Sequence, residues 1–286
     1  FVDIAGTAFE ADFESQSKVA DLKRCIADAW KFPHMCQKLL VGVRILDDTE
    51  QLAAHTQPGA SPLAVTVLLS LDAVMQGLEA GADTKSAVGA LKALGQLGRK
   101  GEHLTGTVAA LVGDGKQHVR WTAIETLRRI APLGDAGVVG ALGRVCGDKN
   151  EHIRLAMLVA ISDLAERDDP QAVRIVLGRL EDGDWQVRQA ALAVFSGMGM
   201  EGTAPAIKAV ALLLSDRQAP VRSSAAQALV KIARQGYLQA VSVIASAYGE
   251  SNHSLRRDVL QALEEVAPRG DAQVAPALAG ALKDPD

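Results

Sequence analysis

The 286-residue sequence predicts a small α+β module at the N-terminus followed by an all-α superhelix of stacked helix pairs. Three observations predict it. The composition changes near residue 70, and beyond that point one pattern of charged and apolar residues returns every 34 residues. Apolar residues reach 48% while aromatics stay at 3%. That mix excludes a disordered chain and argues against an aromatic-lined cofactor pocket. It fits helices packed through Ala, which occurs 48 times, and Leu, which occurs 34 times.

Half of the aromatics (Phe1, Phe9, Phe13, Trp30, Phe32) fall in the first 70 residues, which sets the domain boundaries at 1–71 and 72–286. The first domain reads β-β-α-β-β. Residues 1–4 form a short apolar strand before the turn signal Gly6-Thr7. Phe9, Ala11 and Phe13 alternate with Glu10, Asp12 and Glu14, the period of a half-buried strand. Ser15 to Ser17 supply helix caps, Val19, Leu22, Ile26 and Ala29 follow at helical spacing, and Pro33 stops the helix. Residues 38–46 pair two strands around Gly42, and 63–69 give a last strand.

The stretch Lys38-Leu39-Leu40-Val41-Gly42-Val43-Arg44-Ile45-Leu46-Asp47-Asp48 resembles a turn of ubiquitin, and Val19-Ala20-Asp21-Leu22-Lys23 resembles the start of its helix. The resemblance covers about residues 1–70 and implies a ubiquitin-like β-grasp fold. It also implies a docking surface that includes Leu39 and Thr66. The family's free Gly-Gly tail has no counterpart, because the chain runs on through Ser70-Leu71-Asp72.

In the second domain an acidic residue stands six positions before an Arg, five times in phase. The pairs are Asp114 with Arg120, Asp148 with Arg154, Asp182 with Arg188, Asp216 with Arg222, and Glu250 with Arg256. The residue before each Arg is aliphatic. Four and seven residues after each Arg lie further apolar columns, so one helix face is buried. Helix ends fall near Pro132, Gly134, Gly197, Gly236 and Pro268, and a shorter second helix follows each first helix. A copy around Ala87, Leu91, Leu94 and Leu97 lacks the Arg and is shifted by one residue; residues 72–80 read as a capping helix. Single helix pairs cannot cover both their faces, so neighbours must stack. The pattern Asp182-Gly-Asp-Trp-Gln-Val-Arg-Gln-Ala-Ala-Leu192 resembles HEAT repeats, closest to the short HEAT-like type of phycobilisome lyases.

The Asp and Arg columns read as a structural ladder, with each Asp capping the next helix and each Arg bridging to a neighbouring repeat. The column after each Arg mixes Trp121, Leu155, Gln189, Ser223 and Arg257 and so faces solvent, which makes Trp121 and Leu155 a candidate contact patch. Arg174, Arg179, Lys208, Gln239 and Tyr248 on second helices are candidate partner contacts, together with Leu39 in the first domain.

The remaining observations exclude functions. A net charge of −4 offers no basic excess for nucleic acid. No apolar run is long enough to span a bilayer, and the first residues show no signal-peptide pattern. Three cysteines at unrelated spacing (Cys25, Cys36, Cys146) point to free thiols in a reducing, cytoplasmic setting. His118 and His152 share a column but lack carboxylate partners, so no metal is expected. No phosphate loop, nucleophile elbow or catalytic dyad occurs, and no cofactor is expected. The start at Phe1 and the turn-like end suggest part of a longer chain, with the next Arg column due beyond Asp286. The expected function is a non-catalytic scaffold or adaptor that binds other proteins. A chromophore (bilin) lyase-like protein or chaperone and a structural subunit of a large assembly are the alternatives.

Overall fold

The computed structural model describes residues 14, 16–55, 63, 65–79, 81–198 and 204–233. The strands expected over 1–4 and 9–13, and the repeat carrying Glu250, Arg256, Gln239 and Tyr248, lie outside the described residues. The chain divides into two compact units, Phe1–Ile130 and Ala131–Asp286.

The first unit opens with α1 (Val19–Trp30). Its cap differs from the expected serines. Lys18 precedes the helix, and the Asp21 carboxylate accepts the Lys18 backbone N–H at 2.7 Å. The helix ends at Lys31, whose φ of +54 is left-handed. Strands β1 (Gln37–Val41), β2 (Arg44–Ile45) and β3 (Thr66–Leu69) form an antiparallel sheet in the order β2-β1-β3. Gly42, at φ +59, makes the turn from β1 to β2. Val19, Leu22 and Ile26 of α1 pack on Leu39, Leu46, Leu52 and Val65.

Composition changes between β3 and α2 (Asp72–Leu78), within this first unit. Ser70 N–H donates to the Cys36 carbonyl at 2.8 Å and continues the β1–β3 pairing. Two contacts tie the sheet module to the helices that follow: Lys38 bridges to Asp72, and the Lys100 ammonium sits 5.7 Å over the Phe32 ring. Helices α3 (Thr84–Leu97), α4 (Thr105–Leu111) and α5 (Gln117–Ile130) complete the unit, with α3 packed against both α2 and α5. Gly77 permits the α2–α3 approach: a Cβ there would stand 2.7 Å from the Ala90 Cβ.

The second unit holds α6 (Ala136–Gly143), α7 (Glu151–Leu164), α8 (Pro170–Leu177), α9 (Trp185–Gly197), α10 (Ala204–Leu212) and α11 (Ala219–Ala233). Long helix packs on long helix, α7 on α9 and α9 on α11. The starts of α5, α7, α9 and α11 keep the 34-residue step, while α3 begins one residue out of phase. The expected columns are buried: Val119, Ile153, Val187 and Val221, then Leu127, Ile161, Phe195 and Leu229. Small residues sit between them at Ala123, Ala191 and Ala225, which allows close helix contact.

Candidate interaction face

Each long helix turns one stripe to the interior and leaves another for solvent. What fixes the stripe is the turn before the helix. In the second unit, Arg154 donates from Nη1 to the Asp148 carbonyl of its own repeat at 2.7 Å. Its Nε and Nη2 grip the Asp182 carboxylate of the next repeat at 2.9 and 2.7 Å. Arg188 repeats the arrangement, with the Asp182 carbonyl at 2.8 Å and the Asp216 carboxylate at 2.7 and 2.9 Å. One guanidinium therefore spans two turns, using the planar fork that matches a carboxylate. Arg120 donates to the Asp114 carbonyl at 3.0 Å and Arg222 to the Asp216 carbonyl at 3.1 Å.

The acidic column does not cap the helices as expected. Asp182 accepts the N–H two residues on, and Asp184 caps α9 by accepting from Gln186 and Val187. Asn150 does the same for α7, after Asp148 has turned the chain. The carboxylate of the column is thereby left for the Arg of the preceding repeat.

Burial pushes the carboxyl pKa of Asp182 upward. The Arg154 hydrogen bond, the Asp184 N–H and the charges of Arg154 and Arg179 outweigh it, so the value lies below the ordinary one. Asp216 is lowered in the same way, burial being outweighed by Arg188, the Gln218 N–H and Arg222. The hydrogen bond to Asp182 raises the Arg154 pKa, against a smaller effect of burial.

The expected surface residues among those described separate into four groups. Trp121 is 43% exposed, and Arg174 and Lys208 are exposed. Leu155 is only half-buried rather than open. Arg179 is withdrawn from the surface set, since its Nη1 donates to the Cys146 carbonyl at 2.6 Å and to Asp182 at 3.3 Å. Leu39 is corrected outright. It is fully buried under α1, because strand alternation turns it inward; Leu40, opposite Thr66, lies on the other face.

Trp121 does not stand alone. It lines a groove of about 770 Å³ between α3 and α5, with Val88, Lys85, Lys92, Glu125 and Arg129. Spacing alone did not reveal the α3 side of this groove, because α3 departs from the Arg pattern. A larger depression of about 1040 Å³ lies between the Pro33–Met35 turn and α2 and α3, lined by small and polar side chains without an aromatic. Among the described residues, no group of three or more His, Cys, Asp or Glu side chains is placed to hold a metal ion. No helix among them is long and apolar enough to cross a membrane.

A family model of HEAT repeats matches residues 158–230. Solved structures similar to this chain include the designed armadillo repeat protein YIII(Dq)4CqI, at 18% identity and a TM-score of 0.48, covering 68% of this chain and 98% of that one. A second is the designed armadillo repeat protein YIII(Dq.V1)4CPAF in complex with the peptide (KR)4, also at 18% identity, TM-score 0.48 and coverage of 68% and 98%. A third is a computationally designed armadillo repeat protein for modular peptide recognition, at 18% identity, TM-score 0.46 and coverage of 68% and 98%. Among curated protein sequences nothing matches. The stacked helix pairs and the family match give the helical part a HEAT-like helical-repeat fold.

Proposed function

We propose that this chain is a non-catalytic scaffold or adaptor that binds other proteins through the outward stripes of its repeat helices. The exposed Trp121, set in a groove between two repeat helices, carries the proposal. An aromatic of that size left in water is a typical anchor for a protein partner. The ladder supports the same reading, since Arg154 with Asp182 and Arg188 with Asp216 are engaged with one another and fix the register of the helices they join.

The N-terminal module belongs to the proposal as a ubiquitin-like β-grasp domain with a docking role. Its support is the helix packed on an antiparallel sheet in which β1 pairs with both β2 and β3. An intracellular, reducing location is part of the same reading, supported by the free thiols of Cys25, Cys36 and Cys146. Affinity capture with the full chain, read by quantitative mass spectrometry, tests it. Reproducible protein partners that are lost or weakened with Trp121→Ala are expected. A chain that captures nothing reproducibly, or partners indifferent to every exposed-stripe substitution, would refute it.

A further inference from the structure

We infer that the groove between α3 and α5 is a recognition site for an acidic, extended peptide segment carrying one apolar anchor residue. This inference rests on the binding-scaffold reading and adds the chemistry of the partner. Charge complementarity points to it. The whole chain is acidic, at −4, yet the groove gathers Lys85, Lys92 and Arg129. The one carboxylate among its lining residues, Glu125, is held by Arg128 at 3.1 and 3.2 Å. Asp83, close by, does not line the groove; its carboxylate accepts the N–H groups of Lys85 and Ser86 at the start of α3. Three cations therefore face the groove against one neutralised acid.

The apolar requirement comes from Trp121 and Val88 on the two walls. Both lie near the Lys85 end. At the other end the Arg129 side chain lies across Gly95, where a Cβ would be 3.4 Å from the Arg129 Cδ. That glycine lets the guanidinium stem rest on the α3 backbone.

Helical rise sets the dimensions. Lys85 and Lys92 stand about 10 Å apart along α3, and the stripe from Lys85 to Gln96 runs about 16 Å. An extended chain covers that length with about five residues. The groove thus fits one carboxylate at the Lys85 end, an apolar side chain on Trp121, and one or two carboxylates toward Lys92 and Arg129. Nucleic acid fits poorly, because three cations with an apolar wall and a Glu do not follow a continuous phosphate track.

The test is fluorescence anisotropy with the full chain and labelled heptapeptides, in which three Asp or Glu residues flank a central Leu. The acidic peptide is expected to bind at least tenfold tighter than its Lys and Ser counterparts. Replacing the Leu by Ser, or making Trp121→Ala, is expected to cost about tenfold. The double variant Lys85→Glu with Lys92→Glu is expected to weaken binding at least tenfold at an unchanged melting temperature, since both side chains are exposed, Glu suits the first turn at Lys85, and Glu matches Lys as a helix former at Lys92. Binding is expected to weaken as salt rises. Equal affinity for the three peptides, or indifference to the double charge reversal, would overturn the assignment. So would tighter binding of a single-stranded oligothymidylate with the same sensitivity to the variant. Affinity capture separates the two failures. Partners retained by the double variant, with no peptide preference, sink the groove alone, whereas a wild-type chain without partners sinks the scaffold reading beneath it.

Discussion

Arg188→Ala isolates the ladder at one rung. The substitution removes a bidentate bond to Asp216 and a bond to the Asp182 carbonyl. The Asp216 side chain is 7% exposed, so its charge stays buried when the partner goes. Breaking a buried pair from one side costs about 3–5 kcal/mol. Part is recovered here, because the Gln218 N–H at 2.8 Å and the Arg222 charge remain beside Asp216. We expect a net loss of about 2–3 kcal/mol, which for a unit of this size lowers the melting temperature by roughly 4–12 °C.

Urea unfolding followed by circular dichroism measures the loss. A double-mutant cycle with Asp216→Ala assigns it, with an expected coupling of at least about 1.5 kcal/mol. Arg188→Lys, which keeps the charge and loses the planar fork, should fall between wild type and Ala. Arg174→Ala serves as control: that side chain is exposed and reaches only the Pro170 carbonyl at 3.3 Å, so a change under about 0.5 kcal/mol is expected. A loss under about 0.5 kcal/mol for Arg188→Ala, or a coupling near zero, would refute the ladder as a source of stability.

Acid should weaken the same rungs. The folded-state carboxyl values of Asp182 and Asp216 lie below the ordinary ones, so their contribution is complete above the unfolded value of ~3.9 and disappears as pH falls through the folded values. Urea midpoints should drop steeply below about pH 4, and an Asp182→Asn variant that keeps the wild-type slope would contradict this. Gly77→Ala should destabilise by about 1–3 kcal/mol, since its Cβ would meet the Ala90 Cβ at 2.7 Å and the Ser86 carbonyl oxygen at 2.9 Å. Gly89→Ala, with nothing within 4 Å, should stabilise α3 by about 0.5–1 kcal/mol, and thermal melts giving both the same sign would refute the packing account. Burial pushes the Cys36 thiol up to about 11, so a thiol-reactive reagent at pH 8 should modify Cys25 and Cys146 in the folded chain and Cys36 only on unfolding.

The repeat part was legible because every repeat has the same core to fill. Burial at Val119, Ile153, Val187 and Val221 follows from one packing demand made four times, and demands of that kind leave a period in the sequence. The bridge from Arg to a neighbouring repeat's Asp was legible too, and Arg154 and Arg188 make it to Asp182 and Asp216. The own-repeat contact was less legible: these two arginines take the carbonyl, not the carboxylate, of the Asp six residues before them. The own-repeat carboxylate is already turned to the N–H two residues on, a choice made by local backbone geometry. Leu39 was misplaced for a related reason. Which parity of β1 faces inward depends on the register against β3 and on α1 above it, and a slip of one residue reverses the face. The interaction groove was hardest to read because it is where the period fails. Its α3 wall starts out of phase and has no ladder Arg, so Lys85, Val88 and Lys92 belong to no column. In a repeat chain the periodic residues answer to the stack, and the aperiodic ones are free to answer to a partner. Exposed Trp121 opposite that irregular helix is therefore better evidence for recognition than any residue inside the columns.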